Sequence, residues 1–490
     1  MNHLLPRRRF LQLSAGTGVA LLTGCASSSL PSAASTRLAN ITAEPGRQPD
    51  VTAQLRAAPT DFELAGRTLR TWAYNAKVPG EVLRASKGDL VEVTVANALP
   101  EATSIHWHGL SIVNGMDGVP GLTQGDIEPG DEFTYRFVVP DAGTHWFHPH
   151  HGLQLDRGLL APLIIEDPDD GVDADVEYVV MLDDWLDGAG TTPDDELDAL
   201  TTMTMDDMGT MTMATSPLLG GDAGDVTYPY HLINGRPLDD PLTFAPAPRQ
   251  GDRVRLRIIN GAGDTAYRFA VGGHTMTVTH TDGFAVEPVD VDAILIGMGE
   301  RYDVTIDVRS GAWPVVALAE GKGERAAAVL RTVDASSTST PDLGAAIPEL
   351  DGTWLRYADL RATEPASLEL PADVDIRPVP LRLTGGMMQY DWGINGVAYG
   401  NHEPIQVAAD EWISLQIENM SNMWHPVHLH GHTPQLGRGR AGVRKDTVNV
   451  LPSQSMEMVF QANNPGDWMI HCHNAYHLEA GMATTLSYVE

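Results

Sequence analysis

Short stretches of alternating apolar and polar residues recur along the chain, separated by turns rich in Gly, Pro and Asn. Three of them are especially regular: residues 90–95 (LVEVTV), 254–258 (VRLRI) and 412–417 (WISLQI). A period of two gives a strand one buried face and one wet face. The pattern therefore predicts an all-β chain of antiparallel sheets that pack in pairs.

Each of these strands belongs to a longer unit that occurs three times. A unit opens with an Asn in a turn, continues through a Pro and a charged turn, and closes with a second Asn after the alternating strand. The opening residues are Asn75, Asn234 and Asn395, and the closing residues are Asn97, Asn260 and Asn419. The opening asparagines are 159 and 161 residues apart. This spacing suits three β-sandwich domains in tandem rather than a short-period solenoid.

The repeat sets the predicted domain boundaries. We predict one domain over residues 56–168, a second over 169–333 and a third over 334–490, with a Ser/Thr-rich link around 335–341. Residues 25–55 are predicted to be a tether. A length of 490 residues, with 48 Gly and 33 Pro, agrees with several turn-rich β domains.

Residues 1–24 predict an export signal. The sequence RRRFL at 7–11 precedes a short apolar run, which is typical of a twin-arginine signal and too short to span a membrane. The sequence LTGC at 22–25 resembles a bacterial lipobox. This predicts a lipid on Cys25 that attaches the protein to a membrane in the periplasm or at the outer cell face. Ordinary cleavage near Ala33 is the alternative.

The charge balance argues against nucleic acid as a partner. The chain has 32 basic and 65 acidic residues, a net charge of −33, and without residues 1–24 the net charge is −36. Such a protein attracts cations and repels nucleic acid. Its two cysteines are Cys25 and Cys472. If Cys25 carries lipid, no disulfide can form within the chain, and Cys472 is free for chemistry. We expect a monomer.

Four clusters of histidine carry the candidate chemistry. They are HWHG at 106–109, HPH at 148–150, HPVHLH at 425–430 and HCH at 471–473, the last followed by His477 and Met482. A single histidine is usually a hydrogen-bonded core residue, but that explanation fails for four His-x-His pairs together. Imidazole and thiolate are ligands that copper prefers, so the clusters predict a copper protein.

The parity of strands predicts how these ligands divide. Residues i and i+2 project from one face, so each His-x-His pair presents two imidazoles together. The eight are His106, His108, His148, His150, His428, His430, His471 and His473. They suffice for three coppers at one site, and since two pairs come from each terminal domain, we expect that site between domains one and three.

Cys472 lies between two of these histidines, so its side chain points to the opposite face. His425, three residues before His428, falls on the same side as Cys472. With His477 and a weak axial Met482 they form the His₂CysMet set of a blue electron-transfer copper. Electrons can then pass from the Cys472 sulfur through one residue of backbone to the three-copper site.

These motifs, HWHG, HPH, HPVHLHGH and HCHNAYHLEAGM, resemble those of the multicopper oxidase family, and the resemblance spans roughly residues 60–490. It implies three cupredoxin-like Greek-key domains, four copper ions, and an enzyme that oxidises a small reducing substrate by single electrons and reduces O2 to water. The implied ligands are His106 and His428 for type 2 copper, His108, His148, His150, His430, His471 and His473 for the type 3 pair, and His425, Cys472, His477 and Met482 for type 1. By the same pattern, His145, His151 and His432 are not ligands.

Reduction of O2 consumes protons, so an acid near the cluster is expected. Asp117, in the sequence MDGVP, matches a family acid near the trinuclear site. Some relatives carry a second acid directly after the last histidine ligand, but this chain has Leu478 there and an acid at Glu479. Glu479 is the second candidate, and a solvated loop charge is the alternative.

A methionine-rich segment lies in the predicted second domain. Residues 203–213 contain two carboxylates and five thioethers, those of Met203, Met205, Met208, Met211 and Met213. Thioethers favour Cu(I), so the segment predicts an accessory Cu(I) site and a cuprous-oxidase or copper-tolerance role. A flexible acidic loop is the alternative.

Other classes fit less well. A copper nitrite reductase has two domains and lacks the eight-histidine set, a non-catalytic cupredoxin scaffold would have lost ligands, and a Cu(I) scavenger has no need of Cys472. The reducing substrate stays open among phenols, aromatic amines, Cu(I), Fe(II) and Mn(II).

Overall fold

The computed structural model describes residues 46–203, 214–335, 340–368, 370–371, 373–439 and 441–489. These residues form β-strands with few helices, which confirms the predicted all-β class. The predicted export signal, Cys25, Met205, Met208, Met211 and Met213 lie outside the described residues. In the described part, helices are too short or too polar to cross a membrane.

The first sandwich packs a sheet of order β2-β1-β4-β6 against one of order β3-β8-β7-β5. Its strands are β1 (Val51–Leu64), β2 (Arg67–Tyr74), β3 (Leu83–Ser86), β4 (Leu90–Asn97), β5 (His106–His108), β6 (Glu132–Val138), β7 (Gly143–His148) and β8 (Ala161–Glu166). Strand β1 begins inside the predicted tether, because its first residues pair in parallel with β4 and Leu55 is buried in the core.

The second sandwich has a six-stranded sheet of order β12-β9-β13-β18-β15-β16 and a four-stranded sheet of order β17-β14-β19-β20. Its elements are β9 (Val176–Trp185), α1 (Pro193–Thr202), β10 (Thr215–Ser216), β11 (Gly221–Asp222), β12 (Tyr230–Ile233), β13 (Arg253–Asn260), β14 (Tyr267–Val271), β15 (Met276–Thr281), β16 (Phe284–Val291), β17 (Ile294–Ile296), β18 (Arg301–Asp307), β19 (Ala312–Ala319) and β20 (Arg325–Arg331). The connection from β9 to β12, which holds α1 and the β10–β11 pair, leads towards the third sandwich, where Asp222 bridges to Met423.

The segment after the second sandwich corrects one predicted boundary. The sequence analysis assigned residues from 334 onward to the third domain. Leu343, Ile347 and Leu350 instead pack on Ala327 and neighbouring residues of the second sandwich. Burial of these apolar side chains attaches the segment to the second domain, and the third sandwich begins with β21.

The third sandwich packs a sheet of order β22-β21-β24-β28-β26 against one of order β23-β30-β29-β25-β27. Its elements are β21 (Ile376–Thr384), β22 (Gly393–Ile394), β23 (Ile405–Ala408), β24 (Trp412–Asn419), β25 (His425–Leu429), β26 (Gln435–Leu436), β27 (Thr447–Val450), β28 (Ser455–Gln461), β29 (Asp467–Cys472), α2 (Ala475–Glu479) and β30 (Ala483–Val489). Its core holds the side chains of Cys472 and Met482.

The repeated asparagines have the same structural task in each sandwich. The three opening residues adopt positive φ angles of 51°, 50° and 56°, a conformation that Asn tolerates better than most residues. The side-chain amide of each closing residue donates to two backbone carbonyls; Asn97, for example, donates to the carbonyls of Glu101 and Ile127. The repeated asparagines in the sequence therefore correspond to turns of the same geometry in the three sandwiches.

Candidate metal centres

Strand pairing brings the four histidine motifs together in twos. Strand β5 is antiparallel to β7, with His106 opposite His148, and β25 is antiparallel to β29, with His428 opposite His471. The register of the second pair also sets Cys472 opposite Val427, one residue further on. Side chains alternate along a strand, so Cys472 faces away from His471.

Eight imidazoles converge between the first and third sandwiches, and we call them the histidine site. Its members are His106, His108, His148, His150, His428, His430, His471 and His473. The Nε2 atoms of His106 and His428 are 3.4 Å apart. Nε2 of His471 lies 3.3 Å from Nε2 of His150 and 3.1 Å from Nε2 of His430. His108, His148 and His473 form a third group, with donor atoms within 4.8 Å of one another.

Hydrogen bonds at the outer ring nitrogens fix the tautomers of the histidine site. Nδ1–H of His106 donates to the Asp117 carbonyl at 2.9 Å, and Nδ1–H of His428 donates to the Asp446 carbonyl at 3.0 Å. His148 and His471 make equivalent bonds to backbone carbonyls. A histidine whose Nδ1 carries the proton presents a bare Nε2, as a metal ligand must. These bonds therefore prepare the imidazoles for ions.

His108 has the opposite arrangement. Its Nε2 lies 3.2 Å from the Asp446 carboxylate, while its buried Nδ1 has no hydrogen-bond partner. With Nε2 protonated, Nδ1 is the free donor atom. In the group of His108, His148 and His473, His108 therefore presents its Nδ1 atom as the metal-binding nitrogen.

Burial favours the neutral ring in six of these imidazoles. Removal from water lowers the pKa of His108, His148 and His150 well below the ordinary value, and neighbouring histidines lower it further. The pKa values of His430, His471 and His473 are lowered in the same way. Only the neutral ring binds a metal, so the site is ready for ions at neutral pH.

On the other face of β29 lies the cysteine site, formed by Cys472, His425, His477 and Met482. Sγ of Cys472 is 3.6 Å from Nδ1 of His425 and 3.6 Å from Nδ1 of His477, and these two nitrogens are 3.1 Å apart. Such edges suit three donors around one ion at metal–ligand distances of about 2.0–2.3 Å. Met482 is fully buried, and its backbone hydrogen-bonds to both Cys472 and His477. One thiolate, two imidazoles and a thioether fit copper.

The outer nitrogens of the cysteine site are also occupied. Nε2 of His425 lies 2.7 Å from the Ser421 hydroxyl, and Nε2 of His477 lies 2.9 Å from the carboxylate of Asp225, which belongs to the second sandwich. Burial opposes a charge on His477, but the Asp225 carboxylate raises its pKa to about 10. Tyr390 donates its hydroxyl to the same carboxylate at 2.8 Å.

The two predicted acids differ in position. Asp117 is fully buried, with one carboxylate oxygen 3.0 Å from Nδ1 of His430 and the other 3.2 Å from Nδ1 of His106. Glu479 is exposed on α2, and the hydrogen bonds of the described residues do not join it to either site. Asp117 therefore contacts ligands of the histidine site, and Glu479 does not.

The histidines set aside in the sequence analysis stay outside both sites. His145 is fully buried, His151 approaches Asp126 at 4.0 Å, and Nδ1–H of His432 donates to the His430 carbonyl at 3.1 Å. The remaining ones are distributed over the second and third sandwiches: His231, His274, His280 and His402.

A cavity of about 590 Å³ lies beside the cysteine site. Its lining includes four thioethers and two carboxylates, those of Met203, Met387, Met388, Met423, Asp222 and Asp391. The Trp392 ring also lines it and lies 4.2 Å from the His477 ring and 5.2 Å from the His425 ring, between centroids. The sequence analysis missed this group, although the Met387-Met388 pair and Met423, two residues before His425, were visible signals.

Comparisons with known proteins agree with this arrangement. Family profiles described as multicopper oxidase match residues 57–170, 176–335 and 375–489. The chain is 44% identical to the multicopper oxidase MmcO of Mycobacterium tuberculosis, over 99% of this chain and 96% of that protein. It is 29% identical to copper resistance protein A of Escherichia coli, over 97% and 98% of the two chains.

A solved structure has the same fold. The laccase from Botrytis aclada superposes with a TM-score of 0.73 at 26% identity, covering 90% of this chain and 88% of that one. The three sandwiches are thus cupredoxin-like domains in the arrangement that such enzymes share. With all three domains matched and close similarity over its whole length, this chain belongs to the multicopper oxidase family, copper-dependent oxidoreductases that use O2 as electron acceptor.

Proposed function

We propose that the chain holds four copper ions, one type 1 ion at the cysteine site and one type 2 and two type 3 ions at the histidine site. His106 and His428 are the type 2 ligands, and the two remaining histidine groups hold one type 3 ion each. When bound, the copper ions supply one-electron oxidation of a substrate at the cysteine site and four-electron reduction of O2 to water at the histidine site. The observation that carries this proposal is the alternation of His471, Cys472 and His473 between the two sites.

The protein's own part is to connect and insulate the two sites. Cys472 lies on one face of β29 and His471 on the other, so a single peptide unit joins them. Both side chains are at most 1% exposed, which keeps water from the link. Asp117, in contact with His106 and His430, is the acid that we propose delivers protons to the histidine site.

For the reducing substrate we propose Cu(I). The cavity beside the cysteine site offers thioethers, which are soft ligands, together with carboxylates that attract a cation. The outer nitrogens of His425 and His477 are not open to a phenol hydroxyl, because they already bond to Ser421 and Asp225. The similarity to copper resistance proteins supports the same choice. Trp392, between the cavity and both histidines, is the contact through which we expect electrons to enter.

Replacement of Met387 and Met388 by Leu tests the substrate. The change keeps volume and removes two thioethers, so we expect KM for Cu(I) to rise about tenfold, with oxidation of a phenol unchanged. Met420→Leu, an exposed methionine that does not line the cavity, is the matched control. An equal effect on both substrates, or none on Cu(I), contradicts the proposal.

The methionine-rich segment 203–213 is proposed as an accessory Cu(I) site. Met203 lines the cavity, and the other four methionines lie outside the described residues. We expect deletion of residues 201–213 to weaken oxidation of Cu(I) more than oxidation of a phenol. If the deletion variant retains both activities equally, the result contradicts a Cu(I)-specific role for the segment.

We also propose twin-arginine export and lipid attachment through Cys25, on the evidence of residues 7–11 and 22–25. The expected mature protein starts at Cys25, carries the mass of a lipid and is recovered with membranes. Cys25→Ala should release it into the soluble fraction. A wild-type chain that starts near Ala33 without lipid would contradict the attachment.

A further inference from the structure

Among the residues that the structure describes, the ligands of the histidine site come from the first and third sandwiches, yet one side chain of the second reaches the edge of that site. Arg301, the first residue of β18, is completely buried. Its Nη1 and Nη2 atoms donate to the two carboxylate oxygens of Asp446, each at 2.7 Å. This is a two-pronged bond between a planar guanidinium and a planar carboxylate, the geometry for which Arg is suited and Lys is not.

Asp446 in turn contacts two imidazoles of the histidine site. Its carboxylate lies 3.2 Å from Nε2 of His108, and its backbone carbonyl accepts the Nδ1–H bond of His428. One of these histidines belongs to the first sandwich and the other to the third. A single residue therefore orients ligands from both sides of the interface.

The orientation of His108 depends on this carboxylate. Its Nε2–H needs an acceptor for Nδ1 to remain the free donor atom. The Asp446 carboxylate at 3.2 Å is the charged acceptor there, with the Thr447 hydroxyl beside it at 3.3 Å. The two-pronged bond from Arg301 supplies a counter-charge to this buried carboxylate and fixes the direction of its two oxygens.

Arg301 itself is held by all three sandwiches. Its Nε donates to the Thr144 carbonyl of the first at 3.0 Å, and its Nη1 also donates to the Gly299 carbonyl of the second at 3.1 Å. The neighbouring buried acids have another partner, because Lys445 Nζ lies 3.0 Å from both Asp282 and Glu300. Arg301 also lies 3.6 Å from Asp282, but its two shortest bonds, each 2.7 Å, go to Asp446.

We propose that Arg301 is a positioning residue for the trinuclear copper cluster, acting through Asp446 on His108 and His428. This gives the second domain a direct task in the cluster, because Arg301 helps to hold ligands of the first and third domains in one geometry. A buried ion pair is weak evidence for stability alone. Removal of such a partner behind a metal ligand typically weakens metal binding. The inference rests on the proposed function.

Three variants test it: Arg301→Met, Arg301→Lys and Asp446→Asn. For each, we expect the blue band of the cysteine site to persist while copper affinity at the histidine site falls about 10- to 100-fold. Chelator titration of total copper and the electron paramagnetic resonance signal of type 2 copper measure this without any activity assay. Arg301→Lys keeps the positive charge but cannot form the two-pronged bond to Asp446, so we expect it to lose copper affinity as well. If Arg301→Met does not fold, the result for Arg301→Lys is the test.

Arg255→Met is the matched control. Arg255 is another buried arginine of the second sandwich, and its hydrogen bonds go to Asp303 and Asp170 rather than to Asp446. It should keep wild-type copper. The proposal is overturned if Arg301→Lys retains wild-type copper, or if Arg255→Met loses cluster copper to the same extent. A double variant of Arg301 and Asp446 should be no worse than either single one, because the two act through one contact.

These outcomes are separable from failure of the proposed function. If the cluster itself does not exist, the wild-type protein lacks the type 2 signal. If only the positioning role is wrong, the wild-type protein and the Arg301 variants both show the type 2 signal.

Discussion

At the scale of single residues, both sites depend on the partners of their outer ring nitrogens. In the histidine site several of these partners are backbone carbonyls, which fix a tautomer without adding charge. In the cysteine site one partner is the carboxylate of Asp225. A carboxylate behind a ligating imidazole increases its basicity and holds the ring in place. The sequence motifs supply the ligands, and residues far away in the sequence set the orientation and basicity of their imidazole rings.

Asp117→Asn tests the proposed proton donor. The amide keeps the shape and can still contact His106 and His430, but it cannot supply a proton. We expect reduction of the cysteine-site copper at the wild-type rate and reoxidation by O2 slowed by about 100-fold. Stopped-flow measurement of bleaching and of colour return separates the two steps. Slowing of the first step only would count against the role.

His231 links pH to stability at a site remote from copper. Burial lowers its pKa from 6.5 to about 3, and its Nδ1 lies 2.8 Å from the Tyr267 hydroxyl. Because the folded-state pKa is depressed, its contribution is complete above pH 6.5 and is lost as pH falls towards 3. Between pH 7 and pH 4 this amounts to about 3 kcal/mol.

His231→Asn removes this titration and keeps a polar group near Tyr267. Thermal unfolding of the copper-loaded protein at pH 7 and pH 4 should show a smaller loss of stability in the variant than in wild type. Equal losses would assign the acid sensitivity to other groups.

At the scale of elements, strand β29 connects the two metal sites. Its register with β25 sets His471 beside His428 and turns Cys472 to the other side, so one strand serves two sites. The short helix α2 then returns His477 to Cys472, with Asn474 as its cap: the Asn474 side chain accepts from the Tyr476 and His477 N–H groups. Asp264 of the second sandwich accepts from the Asn474 amide at 2.6 Å, which fixes the start of the helix.

Cys472→Ser tests this division of β29. Serine is nearly isosteric but lacks a thiolate, so we expect the blue band and one copper ion per chain to be lost while the other three remain. Absorption and copper analysis measure both. Loss of all copper ions would contradict two independent sites joined only by the strand.

The elements also show what sequence can predict. A period of two fixed which face each histidine and Cys472 would take, and the structure sets Cys472 3.6 Å from His425, its predicted neighbour. The repeat of asparagines predicted three sandwiches because the opening Asn of each unit occupies a turn at positive φ, which Asn tolerates better than most residues. The predicted start of the third domain at residue 334 lies too early in the chain. Leu343 and Ile347 pack on the second domain, but they do not lie in a regular alternating pattern that would have predicted this packing.

At the scale of the whole molecule, the three sandwiches divide the work. The first and third supply the imidazoles of the histidine site. The second supplies three charged side chains that contact residues at or next to the two sites: Asp225 contacts His477, Asp264 contacts Asn474, and Arg301 contacts Asp446. These contacts join residues 145 to 252 positions apart in sequence. No local pattern marks them, which is why the sequence analysis found the ligands and missed the residues that position them.

The most direct test of the account is copper analysis of the purified wild-type protein together with its absorption and paramagnetic resonance spectra. We expect four copper ions per chain, a blue band from the cysteine site, a separate type 2 signal and consumption of O2 with a reducing substrate. A folded protein loaded with copper that binds one ion or fewer per chain, or that has no blue band, would contradict it.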